Sequence, residues 1–576
     1  MNANILFFSE TQTLPTYKIK NKMQHIFKNL REDFLLIGLT GAVGSGSTTI
    51  SKNLYKQYDP YTIENILECE LSNINDDVEQ RRVQRVKDFY SKNEWNSFYH
   101  LKVSNIMFAL IFATKDVSNC KELLLNRWYK DSDHKKAIKL SKKIIDAIEN
   151  YKTQRNDFDI QGLLVKLNAH IEKKVNKSDI SYTQTFQNVG QSLRKSGAVH
   201  SSVAKPIQYK NIPDIFYIAE SLRRVGKLLY AQGKKFIAID ALRNTYEIQY
   251  FKNRYANFYL LSVVASQNTR EIRTHTQFGL EKDDYKKIKD FEYQDKETSS
   301  QNINSCIGLG DIFINNDENC SDKYLSYQLF KYIALIRKPG LFTPNDDERN
   351  MQVALTARYN SGCISRQVGA CVTGSDGYVR GIGWNDVQEG NTPCLYRTLG
   401  ELLHPKENQA YSEYEKSKEF QDYIKQQSYN KSVPFCFKDI ENKKYIDAKL
   451  QKFKFDSEVH KDISKLFKNP TRERALHAEE NAFLQLAKTG GQSVVGGTLY
   501  TTDSPCQLCA KKAMQLKIKR IVYIDAYPDI STTHTLKSGK KDAYPEFKMF
   551  EGVSGSAYFK LFRPIVGIKE ELRSSK

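Results

Sequence analysis

Two short stretches late in the chain, "LHAEENAF" at Leu476–Phe483 and "TTDSPCQLCAKKA" at Thr501–Ala513, constrain the fold more than anything else in the sequence. Cys506 and Cys509 stand one helical turn apart, so both sulfurs can face one point. Pro505 suits the start of that helix, where the N–H it lacks would be unpaired anyway. The positive end of the helix favours thiolates. His477 supplies a third ligand, and three protein ligands leave a position for water, the mark of a catalytic rather than a closed structural Zn²⁺ site. A closed site would need a fourth ligand from Cys371, Cys394 or His404, which fall in other elements.

Glu479 lies two residues beyond His477, placed to accept a proton from a zinc-activated water and return protons to a ring nitrogen and a departing amine. H-x-E followed by P-C-x-x-C is the signature of zinc-dependent nucleobase deaminases. Upstream, "ISRQVGACVTGSDGYVRGIGWNDV" reads as two strands joined by a Ser375-Asp376-Gly377 turn, with Asn385 just after the second, where its carboxamide can hold a sugar hydroxyl. "GTLYTTD" reads as a strand, "CAKKAMQLK" as a helix and "KRIVYIDAYPD" as a strand and turn, which together predict a three-layer α/β/α sandwich.

The first half carries a different landmark, "DFLLIGLTGAVGSGSTTISKNLYKQY": a buried strand, a glycine turn and a helix. Gly41, Gly44, Ser45, Gly46, Ser47 and Thr48 match a phosphate-binding loop, except that Ser47 holds the lysine position. Lys52, further along the helix, is expected to face elsewhere. A second strand ends in Asp240, where an NTPase would hold Mg²⁺ or a water. The combination resembles P-loop nucleotide kinases of the nucleoside monophosphate and dephospho-coenzyme A kinase type. With Ser47 at the lysine position, the domain is expected to bind a nucleotide or related phosphate ligand, or to serve a partner such as an inhibitory RNA or phage factor, and to regulate while hydrolysing little.

A chain of 576 residues accommodates at least two domains. The α/β reading places a P-loop kinase-like domain at 30–338, with a helical insertion at about 67–203, and a deaminase domain at 339–576, the break falling near Pro339. The net charge of +20 suits an anionic partner, nucleotide or nucleic acid, as well as plain lysine-rich solvated faces. The opening "MNANILFFSETQTLPTYKIK" does not read as a secretory signal, and the apolar runs are too short to span a bilayer. A cytoplasmic protein without membrane contact is expected, its ten cysteines free thiols or metal ligands.

From about Asp346 to Pro564 the chain resembles deoxycytidylate deaminases, through "SRQVGA", "GIGWN", "HAEENA", "SPCQLCA" and "VYIDAYPD". That resemblance implies deamination of deoxycytidine nucleotides, dCMP or dCTP, with His477, Cys506 and Cys509 on zinc, Glu479 as proton donor and acceptor, Asn385 on the sugar and Arg366 on the phosphate. The sequence departs from the family at Trp384 and Asp386, and in a long segment beginning at Glu401. The two-domain organisation is similar to bacterial anti-phage deoxycytidylate deaminases, which implies depletion of the nucleotide pool, a regulatory first domain, control by an inhibitory small RNA and a homo-oligomer. A polynucleotide deaminase acting on cytidine or adenosine in RNA or single-stranded DNA remains an alternative reading.

Overall fold

The computed structural model describes residues 33–112, 131–153, 158–174, 180–199, 205, 207–293, 297–317, 320–404, 409–450, 459, 473–525, 536, 539–540, 543–567 and 569. The chain divides into two compact units, Met1–Pro344 with Ser556–Lys576, and Asn345–Gly555.

The first unit is built on a parallel sheet. β1 (Leu35–Thr40) is buried at every position, as an uninterrupted apolar run covered on both faces should be. It leads through the glycine turn into α1 (Ser47–Tyr55). Then follow β2 (Tyr99–Lys102), β3 (Phe236–Asp240), β4 (Phe258–Val264), α2 (Gln267–Phe278), α3 (Lys282–Glu292) and β5 (Ile312–Asn315). The five strands lie in the order β5-β4-β1-β3-β2, each parallel to its neighbours. β1 is thus central, and the turn after it opens at the carboxyl edge of the sheet, where parallel α/β folds place ligands.

The stretch 67–203 contains helices at Asp77–Tyr90, Val103–Phe112, Asp131–Glu149, Ile160–Lys174 and Ile180–Ser196. It also contains β2, a strand of the core sheet. Its four residues, YHLK, are too few to show an alternation in the sequence. The tail also sits differently from the expected single domain of 339–576. Ala557 and Leu561 are buried on the first unit, where the Gly340 N–H donates to the Leu561 carbonyl at 2.7 Å.

The second unit begins at α4 (Asp346–Arg358), opened by a capping box in which Asn345 and Glu348 bond each other's backbone N–H, worth about 1 kcal/mol. β6 (Gly369–Thr373) and β7 (Val379–Trp384) form an antiparallel hairpin through a turn with Gly377 at φ 79°. β8 (Asp386–Val387), α5 (Phe437–Leu450), β9 (Ala475–Leu476), α6 (Ala478–Thr489), β10 (Thr498–Asp503), α7 (Gln507–Gln515), β11 (Arg520–Asp525) and β12 (Glu546–Met549) follow, with short helices at Leu399–Leu403, Glu413–Lys416 and Lys418–Gln426 between β8 and α5. The main sheet runs β12-β11-β10-β6-β7, parallel from β12 to β10, and β8 pairs separately with β9.

Alternation along the strands sorts the layers. Ala370, Val372, Leu499 and Ile521 bury one face against Ala478, Ala482 and Ala513 of α6 and α7. Tyr500 and Arg520, on the other face, bond Asp347 of α4. A Cβ on Gly383 would lie 2.1 Å from the Ala478 carbonyl oxygen, so only glycine lets α6 approach β7 this closely. That approach sets where the start of α6 points. The "YPD" part of the terminal motif lies outside the described residues.

Candidate active site

Two helix starts converge in the second unit. His477 is the N-cap residue of α6 and Cys506 that of α7, with Cys509 in the first turn of α7. β9 delivers His477, and β10 delivers Cys506 through Ser504, whose N–H donates to the Asp525 carbonyl at 2.8 Å. Asn481 fixes the angle of α6, its Nδ2 donating to the Trp384 carbonyl at 2.7 Å.

His477 Nδ1 lies 3.3 Å from the Cys506 sulfur and 3.5 Å from the Cys509 sulfur. Tetrahedral zinc with ordinary bond lengths would space nitrogen and sulfur about 3.5 Å apart, so the donor set fits the ion. Among the described residues these three form the group able to hold a metal, with ligand atoms within 4.8 Å of one another. The other candidate ligands are placed otherwise: Cys371 is buried within β6, its thiol pushed up to about 12 by burial, and the Cys394 sulfur accepts a hydrogen bond from Arg474. His404 is the C-cap residue of a short helix. The described cysteines are all free thiols.

Both helix dipoles direct positive potential at the cluster. A hydrogen bond with Cys509, joined by His477, holds the Cys506 thiol down to about 4. The same bond and burial push Cys509 up. The hydrogen bonds of His477 to Cys506 and to Glu473 raise the imidazole to about 10. Glu479, only 4% exposed, occupies the first turn of α6, and burial pushes its carboxyl up to about 7. A carboxyl poised there near neutrality can both take and give a proton. The adjacent Glu480 pairs with Lys512.

Asn385 is buried beside the loop before β6. Its Nδ2 donates to the Arg366 carbonyl at 2.6 Å, and its Oδ1 accepts from the Val368 N–H at 2.6 Å and the Ser361 hydroxyl at 3.0 Å. The guanidinium of Arg366 meets Asp503 and Asp525, each at 2.7 Å. The guanidinium thus bridges two carboxylates at the ends of β10 and β11 and ties down the loop before β6. Partners 137 or more residues away carry no sequence signal.

In the first unit, Gly44 and Gly46 take φ of 81° and 91°, the left-handed conformations that shape the turn. Gly44, Gly46, Ser47, Thr48 and Asp240 line a cavity of about 590 Å³. Gly41 and Ser45 pack beneath it: a Cβ on Gly41 would meet Ser45 Oγ at 2.4 Å, and the Ser45 carbonyl accepts from Asn316 Nδ2. Lys52 lines the same cavity, against expectation, because it follows Thr48 by one helical turn. Lys102, Arg243 and Arg273 add positive charge from other elements. Asp240 Oδ2 lies 3.2 Å from His100 Nε2, whereas Oδ1 is buried without a hydrogen-bond partner among the described residues. No described helix is long and apolar enough to cross a membrane.

Residues 344–525 match the family described as the cytidine and deoxycytidylate deaminase zinc-binding region. Over 230 residues the chain is 29% identical to a deoxycytidylate deaminase of Schizosaccharomyces pombe, covering 40% of this chain and 51% of that one. It is 48% identical over 52 residues to that of Enterobacteria phage T2, covering 9% of this chain and 27% of the other. The chain thus spans about half or less of the length of these curated relatives. A crystal structure of dCMP deaminase from the cyanophage S-TIM5, in complex with dCMP and dUMP, aligns with 36% of this chain and 99% of its own, at 20% identity and TM-score 0.21.

Proposed function

We propose that the second unit hydrolytically deaminates deoxycytidine nucleotides, dCMP, dCTP or both, to deoxyuridine nucleotides. The observation that carries the reading is the trio His477, Cys506 and Cys509, with ligand atoms within 4.8 Å of one another and spacings that suit zinc, beside the buried Glu479 in the first turn of α6. His477, Cys506 and Cys509 hold the ion, which supplies the acidification that makes water nucleophilic near neutral pH. Glu479 accepts the proton of the attacking water, passes it to the ring nitrogen, and carries a second proton to the leaving amine. The C4–N bond breaks, a C4 carbonyl forms and ammonia departs. Asn385 contacts the sugar from its anchored position after β7.

The first unit regulates this chemistry by binding a nucleotide in its cavity while hydrolysing little. The cavity volume falls within the range of roughly 300–1,000 Å³ usual for small-molecule sites, and its turn offers backbone N–H groups at a helix start. Ser47 removes the cation from the lysine position of the loop, leaving Lys52, one helical turn beyond Thr48, as the cation of this helix that lines the cavity. Depletion of the deoxycytidine pool in anti-phage defence, an inhibitory small RNA suited to the +20 net charge, cytoplasmic location and a homo-oligomer complete the proposal. The deciding experiment offers purified protein dCMP, dCTP, CTP and a cytosine-containing oligonucleotide and follows ammonia release. Turnover of the free deoxynucleotides supports the reading; turnover of the oligonucleotide alone replaces it with polynucleotide deamination.

A further inference from the structure

The metal histidine has a second face. Its Nδ1 looks toward the two sulfurs, while its Nε2 lies 3.7 Å from Glu473 Oε2, one residue pair before β9. Glu473 is held in turn: its Oε1 accepts from Lys438 Nζ at 3.0 Å. Lys438 belongs to the start of α5, in the long segment by which this chain departs from compact deaminases.

We infer that Glu473 is a positioning residue for the metal ligand His477, and that the long segment braces it through Lys438. The inference rests on the zinc reading above. A histidine that ligates through Nδ1 must carry its proton on Nε2, and a carboxylate facing Nε2 accepts that proton, fixing both tautomer and ring orientation and strengthening the ligand. The lysine, 3.0 Å from the other carboxylate oxygen, holds the carboxylate in place. The start of α5 therefore supports the site from behind His477.

The test is metal affinity, measured on the full chain by competition with a chromophoric chelator, with Glu473→Ala, Glu473→Gln, Lys438→Met and Cys506→Ala compared after each shows a native circular-dichroism spectrum. Glu473→Ala is expected to weaken zinc about 10–100-fold, the usual range for loss of such a partner. Glu473→Gln, whose amide oxygen still accepts from Nε2–H, should recover most of the affinity, and Lys438→Met should lose less than Glu473→Ala. Nitrogen-15 shifts of the zinc-loaded His477 ring should report an Nε2–H tautomer in the native chain and a disturbed ring environment in Glu473→Ala. Native affinity in Glu473→Ala, or equal losses in the Ala and Gln variants, overturns the inference. If Cys506→Ala also keeps its zinc, the metal reading itself falls, so the two failures are distinguishable.

Discussion

Both units direct the start of a helix at a site beyond the carboxyl edge of parallel strands, and they use it differently. In the second unit the helix starts carry the chemistry in their own side chains: Cys506 and Cys509 on α7, His477 and Glu479 on α6. In the first, the start of α1 offers only backbone and small hydroxyls, and the charged groups come from scattered elements, Lys52, Lys102, Asp240, Arg243 and Arg273. A helix start supplies the same electrostatics in both places. What the first turn carries differs: thiols, an imidazole and a carboxyl in the second unit, small hydroxyls in the first.

The comparison breaks most completely if the ligands of the second unit prove dispensable. Cys506→Ala and Cys509→Ala should each lose both zinc and deamination, read by metal analysis and ammonia release; a variant that keeps both would remove the assigned centre. Next in size, Glu479→Ala should keep its zinc and lose about 10²–10⁴-fold in kcat, since the carboxyl moves protons and binds no metal. Retained metal with native turnover would take the proton role from this residue.

A sharper contrast comes from Gly46→Val. The residue sits at φ 91°, and a Cβ there would lie 2.0 Å from Asn316 Nδ2, so the turn must deform. Nucleotide binding by the full chain should weaken at least about tenfold, in line with the loss of a helix-start anion site, with deamination altered and zinc content unchanged. Phosphate release by the native protein at ordinary kinase rates would overturn the binding-only reading of the first unit.

The smallest effect concerns Asp525, which burial, with Asp503 beside it, pushes up to about 6 from an ordinary 3.8. The folded state then holds the proton more tightly than the unfolded chain. The ionised carboxylate thus sets in a cost as pH rises through that window, and the native protein should lose stability there. Asp525→Asn should flatten this loss by about 1–3 kcal/mol, seen as a melting-temperature difference from the native chain that grows between pH 4 and 6. A pH-independent difference would show that Arg366 compensates the carboxylate fully.

The legible parts of the molecule are those written in local spacing. H-x-E and P-C-x-x-C specify His477, Glu479, Cys506 and Cys509, and the structure brings the side chains of His477, Cys506 and Cys509 together across 29 to 32 residues, with Glu479 buried in the first turn after His477. The strand, turn and helix around Gly44 were equally readable, because an apolar run and glycines suffice to define them. Lys52 was misjudged although its spacing from Thr48 holds the answer. Arg366 was not readable, since its pairing with Asp503 and Asp525 depends on how β10 and β11 align. Glu473 stands four residues before His477, but that spacing means proximity only in a helix, and here the chain is extended through β9.

The division of the chain has one more consequence. The first unit owns both Met1–Pro344 and Ser556–Lys576, so the second is spliced into it rather than appended. During synthesis the ribosome must complete the whole intervening unit, on the order of 10–40 s at ordinary elongation rates, before Ala557 and Leu561 can close over the first unit's apolar surface. A nascent chain therefore carries a finished zinc-binding unit while its partner still lacks its final helix. A stop codon near Gly555 would leave the second unit whole and the first without its closing segment.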